Sequence, residues 1–272
     1  MSLFGRQVIL EFGRPGSTGK RFTDLSVTFR VTMSSRSAPH EAIIEARNLG
    51  PDSVALLQRD DVVVRLLVGY DEPRLIFQGD PVRDGVEERL EGTDRVLRIQ
   101  AQDGGRVFRQ TELNVSYTTA TTSGQVFDAI ASQMGLPQGA VTLARDIDYP
   151  HGVVLQGPAR EVLDSLAEAS NARWYITDGK LQVVPRTGAI SERAVVFDGT
   201  TARPNLIGSP ARKDGGVEVK GLIAPTLRPG KPFRVRSAFI TGDYVATRVE
   251  FVGGLREGDF YVIAQGRARR TA

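Results

Sequence analysis

Short apolar runs with a period of two, separated by glycine-containing turns, dominate the first hundred residues. The first two runs contain Val8, Leu10 and Phe12 and then Leu25, Val27, Phe29 and Val31. A period of two places every second side chain on one face of a β-strand. Later apolar runs lie at 62–68, 75–77 and 96–99, and Gly79 and Gly85 are expected in turns between strands. Many short strands at regular spacing predict a β-barrel or a β-sandwich.

The middle third has the spacing of two helices followed by a hairpin. Thr122 or Ser123 is expected to cap the first helix, and Pro158 is expected to begin the second, since proline suits the first helical turn. Asp178 and Gly179 lie between two apolar runs, which is the strongest hairpin signal in the chain. The middle third is therefore predicted to be an α+β unit.

The last third returns to strand-like runs. Its apolar runs include 217–219, 233–235 and 261–263. The chain as a whole is predicted to be mainly β with an α+β insert. We place domain boundaries near residues 105 and 188, which predicts a β-barrel domain at 1–105, an α+β domain at 106–188 and a second β-barrel domain at 189–272.

The residue types that most catalytic and metal sites need are scarce. The chain has 272 residues with no cysteine and two histidines, His40 and His151. Disulfides, thiolate metal sites and thiol nucleophiles are therefore excluded. His40 is expected on the surface at the start of a strand. Trp174, the one tryptophan, is expected in a core rather than in a stacking platform.

Charge and hydropathy are those of an ordinary globular protein. The 35 basic and 32 acidic residues leave a net charge of +3, which argues against a dedicated nucleic-acid binder. No run of 18 apolar residues is present and the first residues lack the apolar core of a signal peptide. We expect the protein to remain in a cytoplasm until it is assembled, with no membrane insertion of its own.

The glycine-rich segment 13–21 superficially resembles a phosphate-binding loop. Arg14 stands where that motif needs glycine, and Arg21 follows Lys20 where the motif needs serine or threonine. The segment also leads into a strand, so no helix N-terminus is available for a phosphate. We interpret it as a basic hairpin loop and predict that Arg14, Lys20 and Arg21 contact a partner subunit.

Three pairs of neighbouring carboxylates are candidates for catalytic or metal sites. They occur at Asp60 and Asp61, at Glu87 and Glu88, and at Asp146 and Asp148. A glycosidase needs two carboxylates that face each other across a sugar, whereas these pairs fall at strand edges and in loops. The segment 146–151 is the densest polar cluster, but one histidine and two carboxylates do not define a metal site. We therefore assign no catalytic, cofactor-binding or metal-binding residue and predict that the protein is not an enzyme.

Three stretches resemble phage tail baseplate hub proteins. The helix and hairpin from Gly157 to Leu181 have the family's order of helix, aromatic and β-branched strand, Asp-Gly turn and apolar strand. Two further stretches also resemble the family: Asn48 to Gly79, and Leu227 to Phe251 with its Pro-Gly turn. Together the three stretches cover most of the chain, and they occur in the family's order.

The resemblance implies a structural role at the tip of a phage tail. Each hub subunit carries two barrels that mimic two tube subunits, so a homotrimer presents a pseudo-sixfold ring. That ring joins the hexameric tail tube to the trimeric spike, contacts distal tail or baseplate proteins, and lets the tape-measure protein and DNA pass. The expected location is the virion, after assembly in the bacterial host cytoplasm.

Three other functions remain open at this point. A tail-associated cell-wall hydrolase would need a convergent acid pair or a metal. A hexameric tail tube or distal tail subunit would form rings of six rather than three. A carbohydrate-binding module would need more aromatic platforms than a single tryptophan supplies.

Overall fold

This computed structural model of the protein describes residues 5–36, 38–105, 111–186, 189–190, 192–256 and 258–269. Most of these residues lie in β-strands. The first third contains β1 (Gln7–Gly13), β2 (Lys20–Phe22), β3 (Val27–Ser34), β4 (Glu41–Arg47), α1 (Pro51–Leu57), β5 (Val63–Gly69), β6 (Arg74–Glu91) and β7 (Asp94–Gln102). The middle third contains β8 (Glu112–Tyr117), β9 (Thr121–Thr122), α2 (Ser123–Gln133), β10 (Gln138–Val141), β11 (Asp148–Tyr149), β12 (Val153–Pro158), α3 (Ala159–Ala169), β13 (Ala172–Thr177) and β14 (Lys180–Pro185). The last third contains β15 (Val195–Asp198), β16 (Ala211–Lys213), β17 (Gly216–Leu222), β18 (Pro232–Arg236), β19 (Thr241–Gly254) and β20 (Phe260–Ala268).

Strands from both ends of the chain belong to one 13-stranded sheet, which we call the β body. Its order is β16-β17-β20-β19-β3-β4-β7-β6-β5-β1-β2, with β18 paired to β19 and to β15. The first and last thirds meet where β3 and β19 run antiparallel, from Ser34 opposite Arg248 to Thr28 opposite Gly254. We call this pairing the seam. The prediction of a mainly β fold with an α+β insert is confirmed. The described strands of the first and last thirds form one continuous sheet and no closed barrel, and those of the middle third form three small separate sheets.

A single hydrophobic core lies behind both halves of the β body. It includes Phe12, Phe29 and Phe77 from the first third together with Phe197, Phe233 and Phe251 from the last third. Alternate residues of the strands point into it, as the period of two predicted. Because the core crosses the seam, the two halves of the β body are held together by apolar packing as well as by backbone hydrogen bonds.

In the last third, an irregular segment joins two strands beside a packed pair of aromatic rings. The backbone amide of Asn205 donates to the Asp198 carbonyl, 3.1 Å away, and its carbonyl accepts from the Leu222 amide at 2.8 Å, so the segment connects β15 to β17. The rings of Phe197 and Phe233 lie edge to face with centroids 6.0 Å apart and belong to the shared core.

Gly79 and Gly85 do not lie in turns, so that prediction was wrong. Both lie within the 18-residue strand β6, whose pairing with β7 shifts register between Pro81 and Val86. A Cβ atom on Gly79 would lie 2.4 Å from the carbonyl oxygen of Gln102. Glycine at these positions permits a bulge and a close approach of backbones inside one long strand.

The middle third packs around a separate core of its own. Helices α2 and α3 bury Phe127, Ile130 and Leu163 against β13, where Trp174 is 2% exposed and donates from Nε1 to Asp164 Oδ1 at 2.8 Å. Thr122 caps α2 through a capping box with Gln125, as the sequence predicted for Thr122 or Ser123. We call residues 111–186 the middle unit; the boundaries near 105 and 188 remain predictions.

Candidate interaction surfaces

The three basic residues predicted to contact a partner all lie on the β1–β2 hairpin, and all three are engaged within the chain. Arg14 pairs with Asp61 at 2.5 Å, Lys20 donates to the Ser53 hydroxyl at 3.0 Å, and Arg21 pairs with Glu11 at 2.5 Å. The Arg14 and Arg21 side chains stay at least half exposed. Both guanidinium groups therefore keep exposed donors that a partner could bind, and their role as an interface stays a prediction.

Charged side chains of both signs cover the outer side of the β body, on a surface that we call the charged face. Glu218 accepts from Lys213 at 2.7 Å and from Gln265 at 2.6 Å on strands of the last third. Arg30 on β3 pairs with Glu250 on β19, so one ion pair crosses the seam.

The same pattern continues across the first third. Arg89 pairs with Glu45 at 3.0 Å, and Arg98 lies 4.0 Å from Glu87. Opposite charges thus alternate across neighbouring strands from one half of the β body to the other. Such exposed pairs contribute little to stability, but they keep the face mixed in charge.

A buried polar group, which we call the junction cluster, joins the middle unit to both halves of the β body. Its members are His40 and Asp103 from the first third, Thr177 and Asp178 from the middle unit, and Arg228 from the last third. Asp103 accepts hydrogen bonds from the backbone amides of Asp178 at 2.7 Å and Gly179 at 3.2 Å. Thr177 hydrogen-bonds through its hydroxyl to Nδ1 of His40 at 3.0 Å.

Arg228 satisfies nearly all of its donors at the junction. It is 6% exposed, contacts Asp178 through Nε at 3.1 Å, and donates to the Leu75 carbonyl at 2.7 Å and the Pro225 carbonyl at 2.7 Å. A buried guanidinium with this many partners links the last third to the middle unit and to β6 at once. The cluster therefore fixes the position of the middle unit on the β body.

Burial displaces the pKa values of two junction residues in opposite directions. Desolvation lowers the pKa of His40 to about 4, against a smaller opposing effect of its hydrogen bond with Ser34. Desolvation and the neighbouring Asp178 carboxylate raise the pKa of Asp103 to about 7. His40 was expected on the surface and is in fact 1% exposed, because Thr177 and Tyr175 of the middle unit pack against it.

The polar segment 146–151 caps a helix in this structure. Asp146 Oδ1 accepts from the Ser123 hydroxyl at 2.7 Å and from the Gly124 amide at 2.9 Å, at the first turn of α2. Burial raises the pKa of Asp146, but these hydrogen bonds outweigh it and leave the pKa below its ordinary value.

Among the described residues, no group of three or more histidine, cysteine or acidic side chains could hold a metal ion. No helix in the described part of the chain is long and apolar enough to cross a membrane.

The sequence contained only partial signals for the junction cluster. Asp178 was singled out as a hairpin residue, and Arg228 stands in the Pro-Gly stretch that carries the resemblance. Neither signal indicates burial, because the partners lie 50 residues or more apart in sequence.

Solved structures with a similar architecture include tail proteins. A tail protein from Neisseria meningitidis MC58 has a TM-score of 0.65 at 10% identity, covering 97% of this chain and 96% of that one. The 43 kDa tail protein of prophage MuSo2 from Shewanella oneidensis has a TM-score of 0.63 at 10% identity, covering 97% and 98%. An E. coli component of the type VI secretion system, described as structurally similar to the T4 tail proteins gp27 and gp5, has a TM-score of 0.60 at 12% identity, covering 94% and 76%. The molecule thus has the fold of phage tail proteins.

The sequence identifies the family within that class. The family described as "Baseplate hub gp41" matches residues 15–266, which is nearly the whole chain. The chain belongs to this baseplate hub family. Among curated proteins, no sequence matches it.

Proposed function

We propose that three copies of this protein form a pseudo-sixfold ring that joins the hexameric tail tube to the trimeric spike. Each chain contributes two β units to the ring, one from each end of the sequence, while the middle unit lies off the ring. The tape-measure protein and DNA pass through the opening. The role is structural rather than enzymatic, and the protein works in the virion, in contact with tube, spike and neighbouring baseplate proteins.

The seam is the observation that best supports this proposal. Two β units that stand in for adjacent tube subunits must keep a fixed relative orientation, or three chains cannot present six equivalent positions. In this chain seven residue pairs between β3 and β19 and one shared core hold the two units together. A flexible linker between two separate domains would not provide this rigidity.

The charged face suits a surface past which a polyanion moves. A strongly basic surface would displace the counterions of DNA and bind its phosphates tightly. An apolar surface would adhere to the tape-measure protein. Alternating acidic and basic residues, such as Arg30 with Glu250 and Arg89 with Glu45, avoid both. We propose that at least part of this face lines the channel.

The number of copies is the decisive measurement. Native mass spectrometry of the protein, alone and with purified tube protein, is expected to give a complex with three copies of this chain for six tube subunits. Negative-stain images of the same sample are expected to show rings. Six copies, or a single copy bound to the tube, would contradict the ring of three.

A second assay separates the structural role from hydrolysis. Purified protein added to a peptidoglycan suspension is expected to leave its turbidity unchanged, with a commercial muramidase as the positive control. Robust clearing would show that the protein is a cell-wall hydrolase.

A further inference from the structure

A cleft of about 870 Å³ separates the middle unit from the β body on the side away from Arg228. One wall comes from the end of α3, β13 and Arg186, and the other comes from the residues that follow β3 and from β19 and β20. Arg173 reaches across it and donates to the Ser35 hydroxyl at 3.4 Å. The cleft therefore lies between two parts of the protein whose relative position is fixed, which is a common place for a binding site.

Three arginines in this cleft have no acidic partner among the described residues. Arg36, Arg173 and Arg186 line it, and none of the three forms an ion pair with a carboxylate in the described part of the chain. Arg186 lies beside Arg173 because its amide donates to the Asn171 carbonyl at 3.1 Å, across the β13–β14 hairpin. The other lining arginine, Arg248, lies 3.8 Å from Glu250.

Arg186 and Arg36 both lie close enough to Arg173 for their positive charges to act on it. Burial lowers the pKa of Arg173, and the positive charges of Arg186 and Arg36 lower it further. Arg173 in turn lowers the pKa of Arg267 on β20, after the effect of burial. Among the described residues no carboxylate forms an ion pair with Arg173, so its repulsion from the two neighbouring arginines favours the binding of an anion beside it.

The remaining lining residues limit the kind of anion that fits. Four acidic residues also line the cleft: Glu41, Asp164, Glu168 and Asp214. Asp164 is held by the indole of Trp174 and Glu41 by the amide of Gln102, so both carboxylates stay in place. A nucleic-acid strand carries a charge on every phosphate and would bring more negative charge beside these carboxylates than a peptide whose acidic side chains are spaced apart.

We propose that the cleft is a docking site for an acidic segment of a partner protein, whose aspartate or glutamate side chains bind Arg173, Arg186 and Arg36. Arg173 is the central contact because it is the least exposed of the three and lies between the two walls. The planar guanidinium binds a carboxylate through two parallel hydrogen bonds, which favours this chemistry over a bare point charge. The proposal does not depend on the number of copies in the ring.

Fluorescence anisotropy with the full-length protein tests it directly. The probe is a fluorescein-labelled octapeptide of alternating glutamate and serine, and the comparison ligand is a labelled octathymidylate. The test variant is the double substitution Arg173→Gln and Arg186→Gln. The matched control is Arg145→Gln with Arg203→Gln, which removes the same charge from two exposed positions outside the cleft.

The wild-type protein and the control are expected to bind the peptide equally. The test variant is expected to bind about ten- to a hundredfold more weakly, as for the loss of one or two charge-assisted hydrogen bonds. Arg186 is exposed, so Arg186→Gln alone should fold normally, and it is expected to weaken binding at least about threefold. The proposal is overturned if the peptide does not bind the wild type, if both arginine variants bind like the control, or if octathymidylate binds more tightly than the peptide through the same arginines.

Discussion

Two titratable side chains at the junction cluster respond to pH in opposite directions. Between pH 3.8 and about 7 the folded protein keeps a proton on Asp103 that the unfolded chain has released, so stability falls as pH rises through this range. Between pH 4 and 6.5 the unfolded chain binds a proton on His40 that the folded protein excludes, so stability rises with pH. The two effects oppose each other below pH 6.5, and only that of Asp103 remains above it.

Replacing Asp103 should therefore change the pH dependence of stability. We expect the free energy of unfolding of Asp103→Asn, measured relative to wild type, to increase as pH rises from 4 to 7, by up to about 4 kcal/mol, since one pKa unit corresponds to about 1.4 kcal/mol. Urea unfolding at pH 4.5, 6 and 7.5 gives this difference. The difference between the two proteins removes the contribution that the other acidic residues, present in both, make to the pH dependence of stability. A constant offset at all three pH values would show that Asp103 is ionised throughout.

Trp174 carries much of the packing of the middle unit. Trp174→Ala removes a buried indole and leaves Asp164 without its Nε1 donor, so we expect a loss of about 3–5 kcal/mol in the free energy of unfolding. Trp174→Phe keeps most of the ring and should cost clearly less. Urea titrations of both variants, followed by circular dichroism, provide the comparison. An equal loss in the two variants would assign the effect to the hydrogen bond with Asp164 rather than to packing.

Among the elements, the β13–β14 hairpin forms from a local sequence signal and also holds the middle unit on the β body. Asp178 and Gly179 have φ values of 54° and 71°, which is the conformation of a two-residue hairpin turn. The same turn presents its two amides to Asp103 and its carboxylate to Arg228. A tight turn thus serves as the attachment point of the middle unit.

Removing the buried cation should loosen this attachment. Arg228→Met leaves Asp178 partly buried without its partner, and we expect a loss of about 3–5 kcal/mol in the free energy of unfolding. Hydrogen exchange should also accelerate at the amides of Asp178 and Gly179. The control is Arg236→Met, which breaks the exposed pair with Asp198 and should cost less than about 1 kcal/mol. Similar losses in the two variants would mean that Arg228 does not hold the middle unit in place.

Local patterns predicted the elements well and their long-range contacts poorly. The hairpin at Asp178, the cap at Thr122 and the alternation along β1 and β3 depend on neighbouring residues, and all are confirmed. His40 was misplaced because its burial depends on Thr177, 137 residues away. The seam could not be predicted for the same reason, since nothing within β3 indicates that its partner is β19.

At the scale of the whole molecule, the β1–β2 hairpin loop is the part predicted to reach the tail tube. Replacing Arg14, Lys20 and Arg21 by glutamate is expected to weaken co-sedimentation with assembled tubes at least about tenfold. The melting temperature should change little, because the Arg14 and Arg21 side chains are at least half exposed and such pairs contribute little to stability.

A matched control distinguishes this contact from a general charge effect. Arg160, Arg203 and Arg212 are exposed and lie outside the hairpin, so reversing them makes the same change in net charge. We expect this control to co-sediment like wild type. If both triple variants bind the tube normally, the hairpin does not form the contact.

The seam also has a consequence for the order in which the chain can fold during its synthesis. Until residues 241–254 have left the ribosome, β3 has no neighbour on one side and presents unpaired amides and carbonyls to the cytosol. Strand β3, which ends at Ser34, therefore lacks this partner until translation has passed Thr241, more than 200 residues later. Ribosomes that stall late on the message should therefore release fragments that aggregate. A chaperone is expected to bind the nascent chain most while the last strands are still missing.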